Sequence, residues 1–142
     1  MVAANDRRGS RGLDRREVRV LTDTHALVWA LQVPEMLGAE ARKIMDTAEL
    51  TASVANLWEL CIKSGKKGAL VNDPVVWWHT YVARAELATL PIRLADVLSL
   101  SALPEIHKDP FDRILVAQCI SEGIPLVTKD ERLRLYGIQT IW

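Results

Sequence analysis

Four acidic residues, Asp23, Glu59, Asp112 and Asp130, carry most of the chemistry this chain could perform. They lie in three apolar stretches far apart along the chain: "LTDTHALVWAL", "SVANLWELCIKSGKKGAL" and "HKDPFDRILVAQCISEGIPLVTKD". Carboxylates drawn within a few ångströms of one another resist ionising together, and a divalent cation reverses that penalty. An all-oxygen donor set that retains some waters suits Mg2+ or Mn2+. The histidines and cysteines are scattered and form no zinc-type set.

Each acid also has an ordinary structural use. Asp109-Pro110 reads as a helix N-cap followed by proline at the first helical position. Asp109 is assigned to that cap, leaving Asp112 in the first turn, where the helix dipole favours a carboxylate. Asp23 fits the cap of the first helix. Thr128 and Glu131 fit a capping box with Asp130 inside the first turn. Glu59 is mid-helix: Val54, Leu57, Trp58 and Cys61 fall on one stripe, with Asn56, Glu59 and Lys63 opposite. Taken alone, it reads as half of a solvated Glu59–Lys63 pair. Choosing between four separate structural acids and one cation site requires knowing whether the fold brings them together.

Short apolar strands, "VRVLTD", "LTAS", "TLPI", "IPLVT" and "IQTIW", alternate with helical patterns. The alternation predicts an α/β fold with a central parallel sheet of four to five short strands and helices on both faces. Ligands of such sheets sit at the carboxyl ends of the strands, where the strand order reverses. Asp23 ends the first strand, and Asp130 follows "IPLVT" by one residue. Asp112 opens the helix that feeds that strand, and Glu59 lies on the helix after the second. In the segment "PVVWWHTYVARAEL", Trp77, Trp78, Tyr81, Val82 and Ala85 share one face of an expected helix and read as core.

A chain of 142 residues reads as one domain with a substantial core. Residues 1–17 are polar and Arg-rich, lack the apolar segment of a secretory signal, and are expected to form a flexible leader before a domain at 18–142. No apolar run approaches a membrane span, so a cytoplasmic protein is expected. Cys61 and Cys119 lie in apolar helical patterns and are expected as buried free thiols. Eighteen basic and eighteen acidic residues cancel, which argues against a protein held to nucleic acid by bulk positive charge alone.

Together the three motifs resemble the PIN domain, and more narrowly the VapC-type toxin nucleases of bacterial toxin–antitoxin pairs. The similarity runs from about Val18 to Trp142 with the motifs in family order. The resemblance implies a three-layer α/β/α fold and a Mg2+-dependent endoribonuclease, a hydrolase of ester bonds in which Mn2+ can substitute. It implies an acidic quartet of Asp23, Glu59, Asp112 and Asp130, with Thr128 in support. Within that quartet Asp23 and Asp112 are assigned as the main metal ligands, with Glu59 and Asp130 completing the cluster. The resemblance also implies a VapB-like antitoxin, an RNA substrate and a homodimer. Because an acidic pocket repels RNA, basic groups must hold the phosphates at its rim; Lys63, Lys66, Lys67, Arg113 and Lys129 are the candidates. Two rivals remain at this level. A receiver or phosphatase is disfavoured because "DTHAL" lacks a paired Asp and no Asp follows a central strand. A degenerate domain that only binds protein or RNA is disfavoured by the presence of all four acids.

Overall fold

The structure, a computed structural model, describes residues 18–142; the expected leader at 1–17 lies outside the described residues. Strand β1 (Arg19–Thr22) leads into helix α1 (Thr24–Gln32), a 3-10 turn (Pro34–Met36) and α2 (Ala39–Thr47). Strand β2 (Glu49–Ser53), α3 (Val54–Lys63), α4 (Pro74–Trp77), β3 (Ala88–Leu90) and α5 (Leu94–Ser99) follow. Helix α6 (Pro110–Glu122), β4 (Leu126–Val127), a 3-10 turn (Glu131–Tyr136) and β5 (Thr140–Ile141) complete the chain. All strand pairs are parallel, in the order β3-β2-β1-β4-β5. After β3 the chain returns to the other side of β1, so the order reverses between β1 and β4. A crevice opens at their carboxyl ends for that reason.

Period-2 alternation along the strands separates two apolar layers. Leu21 and Leu126 turn to one face, against Ile114, Leu115 and Cys119 of α6 and Leu133 and Tyr136 beyond β4. Val20 and Val127 turn to the other, against Ala26 of α1, Leu37 just before α2 and Ala41 within it. Ala52 of β2 packs on Leu27, Val28, Leu60, Trp77 and Val82. The expected α/β/α layering follows. Helix α6 stops at Gly123, whose φ of 66° is the left-handed conformation that closes a helix without a Cβ penalty.

Two helices depart from their sequence patterns. Helix α3 turns its polar side inward: Asn56 and Glu59 are buried, while Val54, Trp58 and Ile62 are exposed, Trp58 by 51%. The expected apolar stripe is therefore the outer surface, and Cys61, expected buried, is exposed on it. Cys119 is buried as expected, and burial pushes its thiol up to about 12, which leaves it inert. The physical reason for the inversion is hydrogen bonding. Ser53 caps α3, and Asn56 accepts the Ser53 N–H at 2.8 Å and donates to the Thr22 carbonyl and Thr24 Oγ1, each at 3.2 Å. Ser53 Oγ donates to Gln118 Oε1 at 2.6 Å, fastening α6 to the same point. In the second helix, α4 widens into a π-helical stretch over Trp78–Ala83. Trp77 and Val82 remain in the core, Trp78 and Tyr81 are partly buried, and Ala85 is exposed, because the wider turn shifts the helical period.

Replacing Asn56 with Ala strips partners from a buried N–H and a buried carbonyl. The expected loss is about 2–4 kcal/mol of unfolding free energy, read from urea denaturation.

Candidate active site

The sheet's strand ends position the first acid. Asp23 follows β1, the central strand of the sheet, so the expectation that no Asp follows a central strand does not hold. Asp23 caps α1: its Oδ1 accepts the Ala26 N–H at 2.8 Å, and its Oδ2 accepts the Thr128 hydroxyl at 2.5 Å. Thr128 stands just past β4, the strand beside β1, so the reversal of strand order creates this contact. Thr128 also accepts the Asp130 N–H at 3.1 Å. The expected capping box of Thr128 and Glu131 is thus replaced: Asp130 itself caps the following turn, accepting the Arg132 N–H at 3.0 Å, while Thr128 is committed to Asp23. Asp109 is the expected cap of α6 and bonds the Phe111 and Asp112 N–H groups.

Glu59 reaches the same place from α3. It is 6% exposed, accepts the Thr24 hydroxyl on Oε1 at 2.5 Å, and pairs through Oε2 with Lys63 at 2.5 Å. The Glu59–Lys63 pair foreseen on solvent therefore exists, but with its acid buried; the bond to Glu59 raises Lys63 above its ordinary pKa. Asp112, in the first turn of α6, is 21% exposed. Among the described residues its carboxylate has no hydrogen-bond donor closer than His107 Nε2, 3.5 Å away.

A cleft of about 330 Å³ is lined by Asp23, Glu59, Asp112 and Asp130, with Asp109, Thr24, Lys63 and Lys129 beside them. All four sequence-derived acids face it. Its remaining wall is aromatic, and this part was not foreseen: His25 and Trp29 meet edge to face at 5.5 Å, and Trp29 meets Trp142 at 5.8 Å. The i, i+4 spacing of His25 and Trp29 on α1 was the one available sequence signal. Of the five basic candidates, Lys63 and Lys129 line the cleft. Arg113 does not: its guanidinium donates to the Pro104 and Leu100 carbonyls and the Tyr136 hydroxyl, tying down the loop before α6. Lys66 and Lys67 are exposed beyond α3 and outside the cleft lining.

The acids differ in how their charge is relieved. Burial raises Asp23 above the usual carboxylate range, with the Thr128 and Ala26 bonds opposing it. Burial, then the neighbouring Asp109 and Asp23, push Asp112 up to about 7. Asp130 is held low by its Arg132 bonds, at 3.2 Å and 3.1 Å from the guanidinium. Unrelieved negative charge is therefore concentrated at Asp112 and Asp23, and the donors there are hard oxygens. This donor set fits Mg2+ or Mn2+: Asp23 and Asp112 could hold the ion, and Glu59 and Asp130 flank it.

The sequence profile described as PIN domain matches residues 20–138. The chain belongs to the PIN-domain family. Within it, the chain is 32% identical over 117 residues to Ribonuclease VapC22 of Mycobacterium tuberculosis, covering 81% of this chain and 89% of that protein. The PIN fold also aligns with solved structures. One is VapBC2 from Rickettsia felis bound to a DNA fragment from their promoter, with a TM-score of 0.61, 12% identity, and coverage of 87% of this chain and 97% of that one. Another is FitAcB from Neisseria gonorrhoeae, with a TM-score of 0.58, 13% identity, and coverage of 85% and 95%.

The Asp112 pKa implies a specific pH dependence for this PIN domain without metal. Its folded value of about 7 lies above the ordinary 3.8, so the folded state keeps a proton that the unfolded state releases. The Asp112 contribution to metal-free stability is then greatest in acid, falls as pH rises through that interval, and levels off above it. Asp112→Asn should flatten the slope in urea midpoints measured with chelator present.

Proposed function

We propose that this PIN domain is the toxin of a toxin–antitoxin pair, an endoribonuclease that hydrolyses RNA phosphodiester bonds with Mg2+, Mn2+ substituting. One observation carries the reading. Four carboxylates from distant segments line a single cleft at the point where strand order reverses, and the least relieved of them, Asp112, is pushed up to about 7. The 32% identity to a named ribonuclease supports it.

In this proposal Asp23 and Asp112 are the metal-holding residues. A divalent ion held there supplies Lewis acidity toward the phosphate and lowers the pKa of a bound water. Glu59, fixed by Thr24 and Lys63, orients the attacking water. Asp130 completes the acidic rim, with Thr128 aligning Asp23. Lys63 and Lys129 counter the phosphate charge at the cleft mouth. The Trp29–Trp142 wall offers an apolar face to an unpaired base, which favours single-stranded or looped RNA.

A VapB-like antitoxin is the proposed partner, by likeness to the VapBC2 assembly. The apolar residues exposed on α3 (Val54, Trp58, Ile62) and α5 (Leu94, Val97, Leu98) are suited to protein contacts, with that antitoxin or within a homodimer. No helix among the described residues is long and apolar enough to cross a membrane; a cytoplasmic location, where RNA is met, completes the proposal.

Asp23→Asn and Asp112→Asn should each lower cleavage of single-stranded RNA by about 100-fold or more, with unchanged circular dichroism. Chelation of the wild type should abolish cleavage, and Mn2+ should restore it. Full activity in both mutants would remove the assignment, and RNA binding without cleavage under any divalent ion would favour a degenerate binding domain instead.

A further inference from the structure

Between Asp112 and Asp130 stands a histidine with three fixed contacts. The His107 side chain is 15% exposed. Its backbone N–H donates to the Tyr136 hydroxyl at 2.8 Å. Its ring Nδ1 accepts the backbone N–H of Asp109 at 3.1 Å. Its Nε2 lies 3.0 Å from Asp130 Oδ2 and 3.5 Å from Asp112 Oδ2.

These contacts determine which ring nitrogen carries the proton. A nitrogen that accepts a backbone N–H has its lone pair free and no hydrogen, so the neutral ring is the Nε2–H tautomer. Nε2 is then a donor aimed at two carboxylates. Arg132 Nη2 lies 3.3 Å from the same nitrogen. That approach is explained by a shared acceptor: Arg132 also donates to Asp130 Oδ2, at 3.1 Å.

His107, Asp112 and Asp130 each offer an atom within 4.8 Å of the others, a spacing compatible with a three-ligand metal site. The tautomer argues against that use. Ligation through Nε2 would move the ring proton to Nδ1, directly against the Asp109 N–H. Turning the ring over to avoid this would break the bond that holds it to the start of α6.

We infer that His107 is a positioning residue for the acidic cleft: its Nε2–H, bonded to Asp130 Oδ2 and facing Asp112 Oδ2 at 3.5 Å, sets the spacing of the two carboxylates for the ion. The inference rests on the metal-dependent nuclease reading. Two carboxylates this close repel, and Asp112 has no nearer donor among the described residues. A single N–H bonded to Asp130 and set between the two acids fixes their spacing while leaving the Asp112 oxygens free. Arg132 cannot substitute, because its guanidinium is spent on Asp130. Such outer hydrogen-bond partners fix ligand orientation before the metal arrives.

The test separates the two ring nitrogens. Gln at position 107 can place an amide N–H near the Nε2 site, whereas Asn can place only its acceptor near the Nδ1 site. Mn2+ affinity, measured by electron paramagnetic resonance titration of the whole protein, is read beside RNA cleavage. His107→Leu and His107→Asn should each weaken Mn2+ binding and cleavage by about 10–100-fold, while His107→Gln should stay within a few-fold of wild type. The reverse order, with Asn tolerated and Gln impaired, would reduce His107 to a loop anchor and overturn the inference; equal effects in all three variants would overturn it as well. The unmutated, metal-free protein supplies a second test that needs no variant to fold. Ring 15N shifts, recorded well above the ordinary histidine pKa, should show a protonated Nε2 and a bare Nδ1, and the opposite tautomer would refute the inference. Wild type that binds no Mn2+ would defeat the nuclease reading and this inference together. Wild-type binding left intact by His107→Leu would defeat this inference alone.

Discussion

Like charges held at one rim of a sheet repel, and the architecture around β1 and β4 is organised by how that repulsion is relieved. Relief is uneven. Glu59 has Thr24 and Lys63, Asp130 has Arg132, and Asp23 has Thr128 and a helix N-terminus. Asp112 has only a distant histidine and three acidic neighbours. The remaining electrostatic deficit therefore sits between Asp112 and Asp23, and a small divalent cation with oxygen preference is the species that removes it. Complete internal neutralisation of all four acids would leave a more stable apoprotein with little affinity for an ion.

The same requirement explains the inversion of α3. To bring Glu59 to the cleft, the helix must direct Asn56 inward as well, and both then need partners away from water. Asn56 finds them in Thr22, Thr24 and Ser53, and Ser53 in turn engages Gln118 on α6. This polar seam ties β1, β2, α3 and α6 at the point where the acids converge. Its consequence is an apolar outer stripe on α3, with Trp58 packed edge to face on Phe111 at 4.9 Å yet still half exposed. A rigid site and a sticky surface thus arise from one orientation of one helix. The first suits precise chemistry, and the second suits a protein partner.

Much of the fold was legible along the chain. Strand–helix alternation and the Asp109-Pro110 start of α6 are local signals, each set by backbone hydrogen bonding within a few residues. Gln118 gave no such signal, and Asn56 only its short-range contact with the Ser53 N–H, since their other partners lie 65 and 32 to 34 positions away. Arg113 sat beside a site acid in sequence but projects to loop carbonyls, because neighbours on a helix point about 100° apart. The aromatic wall joins α1 to the last residue of the chain, a pairing no window along the sequence contains.

By itself the sequence determined the alternation of elements, the parallel sheet and the identity of three acids at strand and helix ends, because period and capping are short-range properties. The resemblance of its motifs carried the family. Tertiary structure alone decided that α3 faces inward with its polar side, that Asp112 rather than Asp130 is left unrelieved, and that His107 stands between them. Those outcomes depend on distances between segments that touch only after the sheet has closed its order around β1. Electrostatic energies vary with such distances and with burial, and neither is written in the spacing of residues along a chain.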